Sequence, residues 1–316
     1  MTGHAIAGAS LALIKYWGKR SAADNTPATG SLAVTLSGLE SRTSAAFDDR
    51  DSVTVNGTEQ PVERFTAFLD VLRKELGVDA RFAIASENTF PTAAGLASSS
   101  SGFAALTGAV AALTGADTHP PKLSALARLG SGSATRSVFG GFTVFDAGAS
   151  AAEPERGEDF WPDFRVVVAV VSETAKPRSS REAMESSRQT SPFYDRWVTT
   201  SPAVLASARA ALGQRDWNAL GPLVRQSYLR MFATMFSSEP PLVYWQPASV
   251  ALMHTLEDLR SQGLNAWETM DAGPQVKVFC PAAAAEELVK ELDRRVPGLR
   301  FLTAAPGPGM RSWRTA

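Results

Sequence analysis

Cysteine is nearly absent from this chain. Cys280 is the only one in 316 residues, which excludes an internal disulfide. It stands in the apolar run Val276-Lys277-Val278-Phe279-Cys280, the setting of a buried strand thiol rather than a nucleophile. Histidine is scarce too: His4, His119 and His254 are scattered, and no Cys/His spacing forms a zinc site. Net charge is small, with 31 Lys and Arg against 32 Asp and Glu, so the chain carries no basic footprint for nucleic acid. No run reaches the roughly 18 uncharged apolar residues that a membrane helix needs. Ala5 to Ile14 is apolar, but no Lys or Arg precedes it, and Lys15, Lys19 and Arg20 follow it. That is the wrong polarity for a secretory signal. A buried strand is expected there, and a cytoplasmic location for the protein.

What is present is an ordinary globular composition, 44% hydrophobic and 20% charged. The length fits one large domain or two moderate ones. Strands are expected at Ala5–Leu13, Leu32–Leu36, Thr43–Phe47, Ser52–Val55, Arg81–Ser86, Val138–Phe145 and Val166–Val171. Helical spacing marks Val62, Phe65, Phe68, Leu69, Leu72 and Leu76, then Phe103 to Leu113, and then a short helix after Pro120-Pro121. Ala203–Leu212, Trp217–Ser227 and Pro247–Gln262 also read as helices, and Gly148 to Asp163 as a surface loop. The end reads strand (Val276–Cys280), helix (Ala282–Leu292), turn and strand (Leu299–Thr303), a split unit of an antiparallel layer. The class is α+β rather than a doubly wound sheet. A division falls just before the valine run, giving 1–164 and 165–316.

Four polar clusters interrupt the apolar pattern. The first is Pro91 to Gly102, with four consecutive serines, Ser98 to Ser101, ahead of a helix. Small residues allow close backbone approach, and a helix N-terminus carries partial positive charge, so this is a phosphate cradle or a serine-rich linker. It lacks the Gly-Lys-Ser/Thr of a Walker A loop. The second is Lys15-Tyr16-Trp17-Gly18-Lys19-Arg20, a ligand-facing strand end or a solvated one. The third is Gly130 to Arg136, an anion site or a plain turn. The fourth, Met270-Asp271-Ala272-Gly273-Pro274, is a good turn. It also places a carboxylate where a substrate hydroxyl could give up a proton as its oxygen attacks a phosphoryl group.

Together these motifs resemble the diphosphomevalonate decarboxylases (mevalonate diphosphate decarboxylases) of the GHMP kinase superfamily. The resemblance rests on Ala12 to Arg20, Pro91 to Gly102, Gly130 to Gly141 and Met270 to Pro274, with a weaker match at Lys176 to Met184, in the family's order over nearly the whole chain. It implies a two-lobed GHMP kinase fold, with an N-terminal lobe like domain 2 of ribosomal protein S5 and a ferredoxin-like C-terminal lobe. It further implies a cytoplasmic homodimer that uses ATP and Mg²⁺ to phosphorylate a tertiary 3-hydroxyl, then loses phosphate and CO₂ to leave isopentenyl diphosphate. By the same resemblance Asp271 is the base, Lys15 lies beside it, and Arg136 holds the substrate carboxylate. Ser131 and Ser133 contact substrate, and Tyr16, Lys19, Arg64, Ser180 and Arg181 serve the diphosphate and nearby groups. Gly95, Ala97, Ser98, Ser99, Ser100 and Ser101 form the ATP phosphate loop, and the metal ligands are not identified.

Four positions depart from the family's usual pattern: Ser10, Gly30, Phe232 and Gln275. None removes a presumed catalytic group, but together they leave the substrate less defined than the reaction class. The alternatives are a decarboxylase of mevalonate 5-phosphate or of another phosphorylated 3-hydroxy acid, a kinase-only relative, and a ligand sensor without turnover. The partner implied throughout is a small phosphorylated 3-hydroxy acid, with no nucleic acid and no membrane.

Overall fold

The apolar run at the start becomes β1 (Thr2–Ile14), followed by β2 (Lys19–Ser21), β3 (Thr26–Pro27), β4 (Ser31–Asp48), β5 (Ser52–Val55), β6 (Thr58–Glu59), α1 (Glu63–Leu76) and β7 (Arg81–Asn88). Then come α2 (Ser98–Thr114), α3 (Pro120–Gly130), β8 (Phe142–Phe145), β9 (Glu153–Arg156) and β10 (Phe164–Val170). The rest comprises α4 (Ser180–Thr190), α5 (Tyr194–Gly213), α6 (Trp217–Phe236), α7 (Pro247–Ser261), β11 (Trp267–Thr269), β12 (Val276–Pro281), α8 (Ala285–Arg295), β13 (Arg300–Ala304) and β14 (Arg311–Thr315). The computed structural model describes residues 1–21, 24–91, 98–174 and 178–316.

One sheet has the order β14-β1-β4-β7-β5-β6, with β8 paired to β4 and β9 to β8. Its pairings are antiparallel except β5 with β7. The register of β1 on β4 shifts between Gly8 and Ser10. A bulge of this kind flips the alternation of side chains. Ala5 and Ala7 therefore pack with the α2 residues Ala104, Ala105, Leu106 and Ala109, while Ala9, Leu11 and Leu13 join a core shared with the second sheet. This explains why the second half of β1 is buried at every position.

The second sheet has the order β11-β12-β10-β13, with β10 antiparallel to both β12 and β13. The terminal strand–helix–strand unit is thus split by β10, as its pattern predicts. Val166, Val168 and Val170 face the shared core, and Val167 and Ala169 face the helical layer with Trp197, Tyr228, Leu252 and Leu288. A strand covered on both faces reads as an unbroken apolar run, which accounts for the valines.

The structure differs from the sequence expectations in several places. Leu32–Leu36 and Thr43–Phe47 belong to one strand, β4, bent where Gly38 takes a positive φ of 73°. Val138 ends a 3-10 turn, Gly132–Val138, and the strand expected there starts only at Phe142. Helix α2 begins at Ser98, so the serines form its first turn instead of preceding it. α5 starts at Tyr194 and runs through Pro202, and α6, expected to span Pro222, continues beyond Ser227 to Phe236, because packing of the two helices on each other outweighs the missing backbone donors. The expected surface loop contains β9. The division at residues 164 and 165 stays our proposal for the two lobes, although β14 returns to pair with β1 in the first sheet.

Candidate active site

The end of β1, the turn after β11 and the first residues of β12 converge on one carboxylate. Lys15 Nζ donates to Asp271 Oδ1 at 2.8 Å and to the carbonyl of Ala12 at 2.7 Å. Lys277 Nζ donates to Asp271 Oδ2 at 3.0 Å. Both lysine side chains are 1% exposed, and that of Asp271 is 26% exposed, so the side chain stays partly accessible between them. Burial alone would raise the Asp271 pKa, but Lys15 and then Lys277 outweigh it and hold the carboxyl well below the usual range. Burial, opposed by Asp271 and assisted by Lys277 and Arg136, brings Lys15 down to about 8.

The surrounding elements hold this arrangement in place. Ser227 on α6 accepts from the Lys15 backbone N–H at 2.9 Å. Gln275 Oε1 accepts from the N–H of Val171 at 2.5 Å and of Ser172 at 3.2 Å, which ties the Asp271 turn to the end of β10. Ser249, in the first turn of α7, donates to the Pro274 carbonyl at 2.6 Å.

Arg136 comes from the 3-10 turn after α3. It is 3% exposed, its Nη1 donates to Ser31 Oγ at 2.8 Å, and its buried Nε has no hydrogen-bond partner among the described residues. Burial lowers it to about 10, with Asp271 and Tyr16 acting in the opposite sense. The same turn carries Ser131 and Ser133, whose hydroxyls are 3.1 Å apart. Tyr16 lies over Gly132 so closely that a Cβ there would stand 2.4 Å from the phenol oxygen, so this position requires glycine. Burial raises the Tyr16 hydroxyl to about 12.

Lys19 extends the site away from Asp271. Its ammonium donates to Asn25 Oδ1 at 2.5 Å, and Asn25 Nδ2 donates to the carbonyls of Arg128 and Leu129 at the end of α3. Burial and Arg181 bring Lys19 down to about 8, with Glu185 acting in the opposite sense. Ser180 and Arg181 occupy the first turn of α4, whose start is fixed by a capping box between Ser179 and Glu182. Trp197 Nε1 on α5 donates to the Trp17 carbonyl at 2.9 Å and steadies the intervening loop.

The structure therefore gathers Lys15, Asp271 and Arg136 at one end, Tyr16, Ser131 and Ser133 beside them, and Lys19 and Arg181 farther along. Arg64 is exposed in the first turn of α1, and no contact among the described residues joins it to this group. Of the serine run, Ser99 is exposed and Ser100 is buried, while Ser101 shares a hydrogen bond with Ser41 at 2.8 Å. Gly95 and Ala97 lie outside the described residues.

Comparison with known proteins decides the family. Residues 7–155 match the Diphosphomevalonate decarboxylase-like N-terminal domain, and residues 166–304 match the Mevalonate 5-diphosphate decarboxylase C-terminal domain. The chain belongs to the diphosphomevalonate decarboxylase family. A diphosphomevalonate decarboxylase of Ganoderma lucidum is 35% identical over 91% of this chain and 80% of its own length. The structure of MDDEF in complex with MVAPP, AMPPCP and magnesium superposes with a TM-score of 0.95 at 33% identity, covering 100% of this chain and 99% of that one. The mevalonate diphosphate decarboxylase of Staphylococcus aureus gives 0.92 at 32% identity, covering 99% and 98%. The fold is thus the mixed α+β, GHMP kinase-type fold of these decarboxylases.

Within this decarboxylase frame three of the departures have local explanations. At Gly30 an added Cβ would sit 2.5 Å from Leu205 Cδ2 on α5. Phe232 fills an aromatic cluster with Tyr228, Phe236 and Trp245. Gln275 makes the ties to β10 described above; Ser10 is buried on β1 opposite Thr35 with its hydroxyl unpaired among the described residues, and nothing in the structure explains that departure. Sequence reasoning missed Lys277 and Gln275. The signal for Lys277 was available, since a lysine inside an apolar strand buried on both faces requires a charged partner.

Proposed function

We propose that Asp271, Lys15 and Arg136 carry out the ATP-dependent decarboxylation of mevalonate 5-diphosphate to isopentenyl diphosphate, with Lys19, Ser180 and Arg181 at the diphosphate. The observation that carries this reading is the Asp271 carboxylate, gripped by a lysine on each oxygen, partly accessible, and within electrostatic reach of Arg136.

The first turn of α2 fits a nucleotide phosphate. It contains no acidic residue, Ser99 is exposed, and the first N–H groups of a helix have no intrahelical partner. Ser98 to Ser101 would hold the phosphates there. The described residues contain no group of three or more His, Cys, Asp or Glu side chains suited to a metal, so Mg²⁺ would be held chiefly by phosphate oxygens and water. When bound, ATP with Mg²⁺ supplies the phosphoryl group that makes the tertiary 3-oxygen a good leaving group.

Asp271 accepts a hydrogen bond from the substrate 3-hydroxyl on a remaining lone pair and aims the oxygen. Because the two lysines make the carboxylate a weak base, the hydroxyl keeps its proton until bond formation to phosphorus has made it acidic. The proton then passes to Asp271 and on to water. Arg136 presents its Nε and a terminal nitrogen to the substrate carboxylate and aligns the breaking C–C bond with the departing phosphate. The C–C bond electrons form the alkene, CO₂ leaves, and phosphate departs with the C–O electrons. Lys19 and Arg181 bind the unreacting diphosphate, whose binding energy fixes the reacting end.

Two cations at the far end of the site favour a diphosphate over a monophosphate. The test is kcat/KM for mevalonate 5-diphosphate and mevalonate 5-phosphate with ATP and Mg²⁺. We expect the diphosphate to be preferred at least about 100-fold, the order of a lost charged contact. Turnover of the monophosphate alone would overturn the substrate assignment. A homodimer in the cytoplasm fits the same reading, and no described helix is long and apolar enough to cross a membrane.

A further inference from the structure

The mechanism so far gives Lys15 the role of partner to Asp271, yet Lys277 makes an equivalent contact from the other side. Lys277 lies on β12 between Val276 and Val278, with Phe279 and Cys280 beyond, all fully buried. An ammonium in that setting is costly to desolvate and persists only where an opposite charge meets it. It meets Asp271 Oδ2 at 3.0 Å. The charged groups facing Asp271 are Lys15 from β1, Lys277 from β12 and Arg136 from the 3-10 turn. One carboxylate is thus set among three cations, a net local charge that attracts anions.

A carboxylate held at one oxygen can turn about its Cβ–Cγ bond. Held at both, from two different sheets, it cannot, and each oxygen keeps a lone pair for a further donor. We propose that Lys277 is a positioning residue for phosphoryl transfer: with Lys15 it locks the plane of the Asp271 carboxylate so that a remaining lone pair is aimed at the substrate hydroxyl. Its charge also keeps that carboxylate ionised and adds to the pull on the substrate carboxylate and the transferred phosphoryl group. This inference rests on the proposed role of Asp271.

The test compares wild type with Lys277→Met, which keeps most of the side-chain length and leaves no unpaired buried charge, and with Lys277→Arg. The first readout needs no turnover: ¹³Cγ NMR titration of Asp271, assigned by the signal lost in Asp271→Asn. Lys277→Met should raise its midpoint by about 1–3 pH units, the effect of losing a nearby opposite charge, and Lys277→Arg should restore it. The second readout is ADP formation from mevalonate 5-diphosphate, where kcat should fall about 100-fold with KM little changed, as for a misaligned reacting group. An unchanged titration, or an unchanged kcat in a folded Lys277→Met protein, overturns the proposal. If Lys277→Met does not fold, Lys277→Gln decides by the same titration. Wild type without ADP or CO₂ from mevalonate 5-diphosphate would overturn the substrate assignment, while the titration still judges Lys277.

Discussion

Glu268 and Asp271 are three residues apart, and each is held by two cations, but to opposite ends. Glu268 is fully buried. Its Oε1 accepts from Arg225 Nε at 2.7 Å and the Tyr228 hydroxyl at 3.0 Å, and its Oε2 accepts from Arg260 Nη1 at 2.5 Å. Arg260 also lies over the Trp267 ring, and both arginines reach Glu257. Arginine stays charged at any working pH and binds in a rigid fork, so this cluster is a fixed frame that joins α6, α7 and β11. Asp271 is held instead by two lysines, of which burial brings Lys15 down to about 8, and its side chain stays partly accessible. The comparison teaches that a buried carboxylate stays available for chemistry through what is left accessible and through its surplus of cations: Glu257 balances the two arginines at Glu268, while at Asp271 one carboxylate stands among three cations.

The sharpest way to break the comparison is to remove each carboxylate charge in turn. Asp271→Asn should cut ADP formation by about 10²–10⁴, the range for a group that handles a reacting proton, with substrate affinity largely retained. Binding measured by calorimetry and turnover by coupled assay would check this, and near-normal turnover would remove Asp271 from the chemistry. Glu268→Gln should have the reverse profile. It leaves two arginines with only the exposed Glu257 as an anionic partner, so stability should drop by about 3 kcal/mol in denaturant unfolding, with kcat of the folded fraction within a few-fold of wild type. In Asp271→Asn, Lys15, already brought down to about 8 by burial, relieves part of the imbalance by deprotonating, and the loss of stability should be smaller.

A pH profile sharpens the contrast further. Lys15 and Lys19 titrate near 8 in the free protein, so kcat/KM should fall as pH rises through about 8. Bound anions hold those protons on, so the limb in kcat should lie higher. A flat kcat/KM to pH 10 would contradict the lysine roles. Stability has its own signature. The Lys15 pKa is lower folded than unfolded, so between about 8 and its ordinary 10.5 the unfolded chain binds more protons, and this group makes stability rise with pH. The Asp271 pKa is also lowered, so its contribution is complete above the ordinary carboxylate value and is lost as pH falls through the folded value. The smallest effect is expected at the frame's edge. Tyr228→Phe removes one of three donors to Glu268 and should cost about 1 kcal/mol in unfolding, with kcat unmoved.

Much of this was legible in the chain. The valines of β10 and the split unit around it follow from local pattern, and Lys15, Arg136 and Asp271 stood out because polar clusters interrupt apolar runs. What was not legible depends on contacts between distant segments. Glu268 looks like any polar residue until α6 and α7 bring Arg225 and Arg260 to it. β14 pairs with β1 across almost the full length of the chain, and no local signal specifies that register. Pro202 mimics a helix start, and only packing shows that α5 continues through it from Tyr194. The start of α4 was hidden in a segment read for its charges, although Ser179 and Glu182 have the spacing of a capping box.

The central claim is that this one site joins phosphorylation to loss of CO₂. The direct measurement is the ratio of ADP to CO₂ released by wild type with ATP, Mg²⁺ and mevalonate 5-diphosphate. The account requires both products in equal amounts, with isopentenyl diphosphate formed. ADP released without CO₂ would make the protein a kinase and would contradict it.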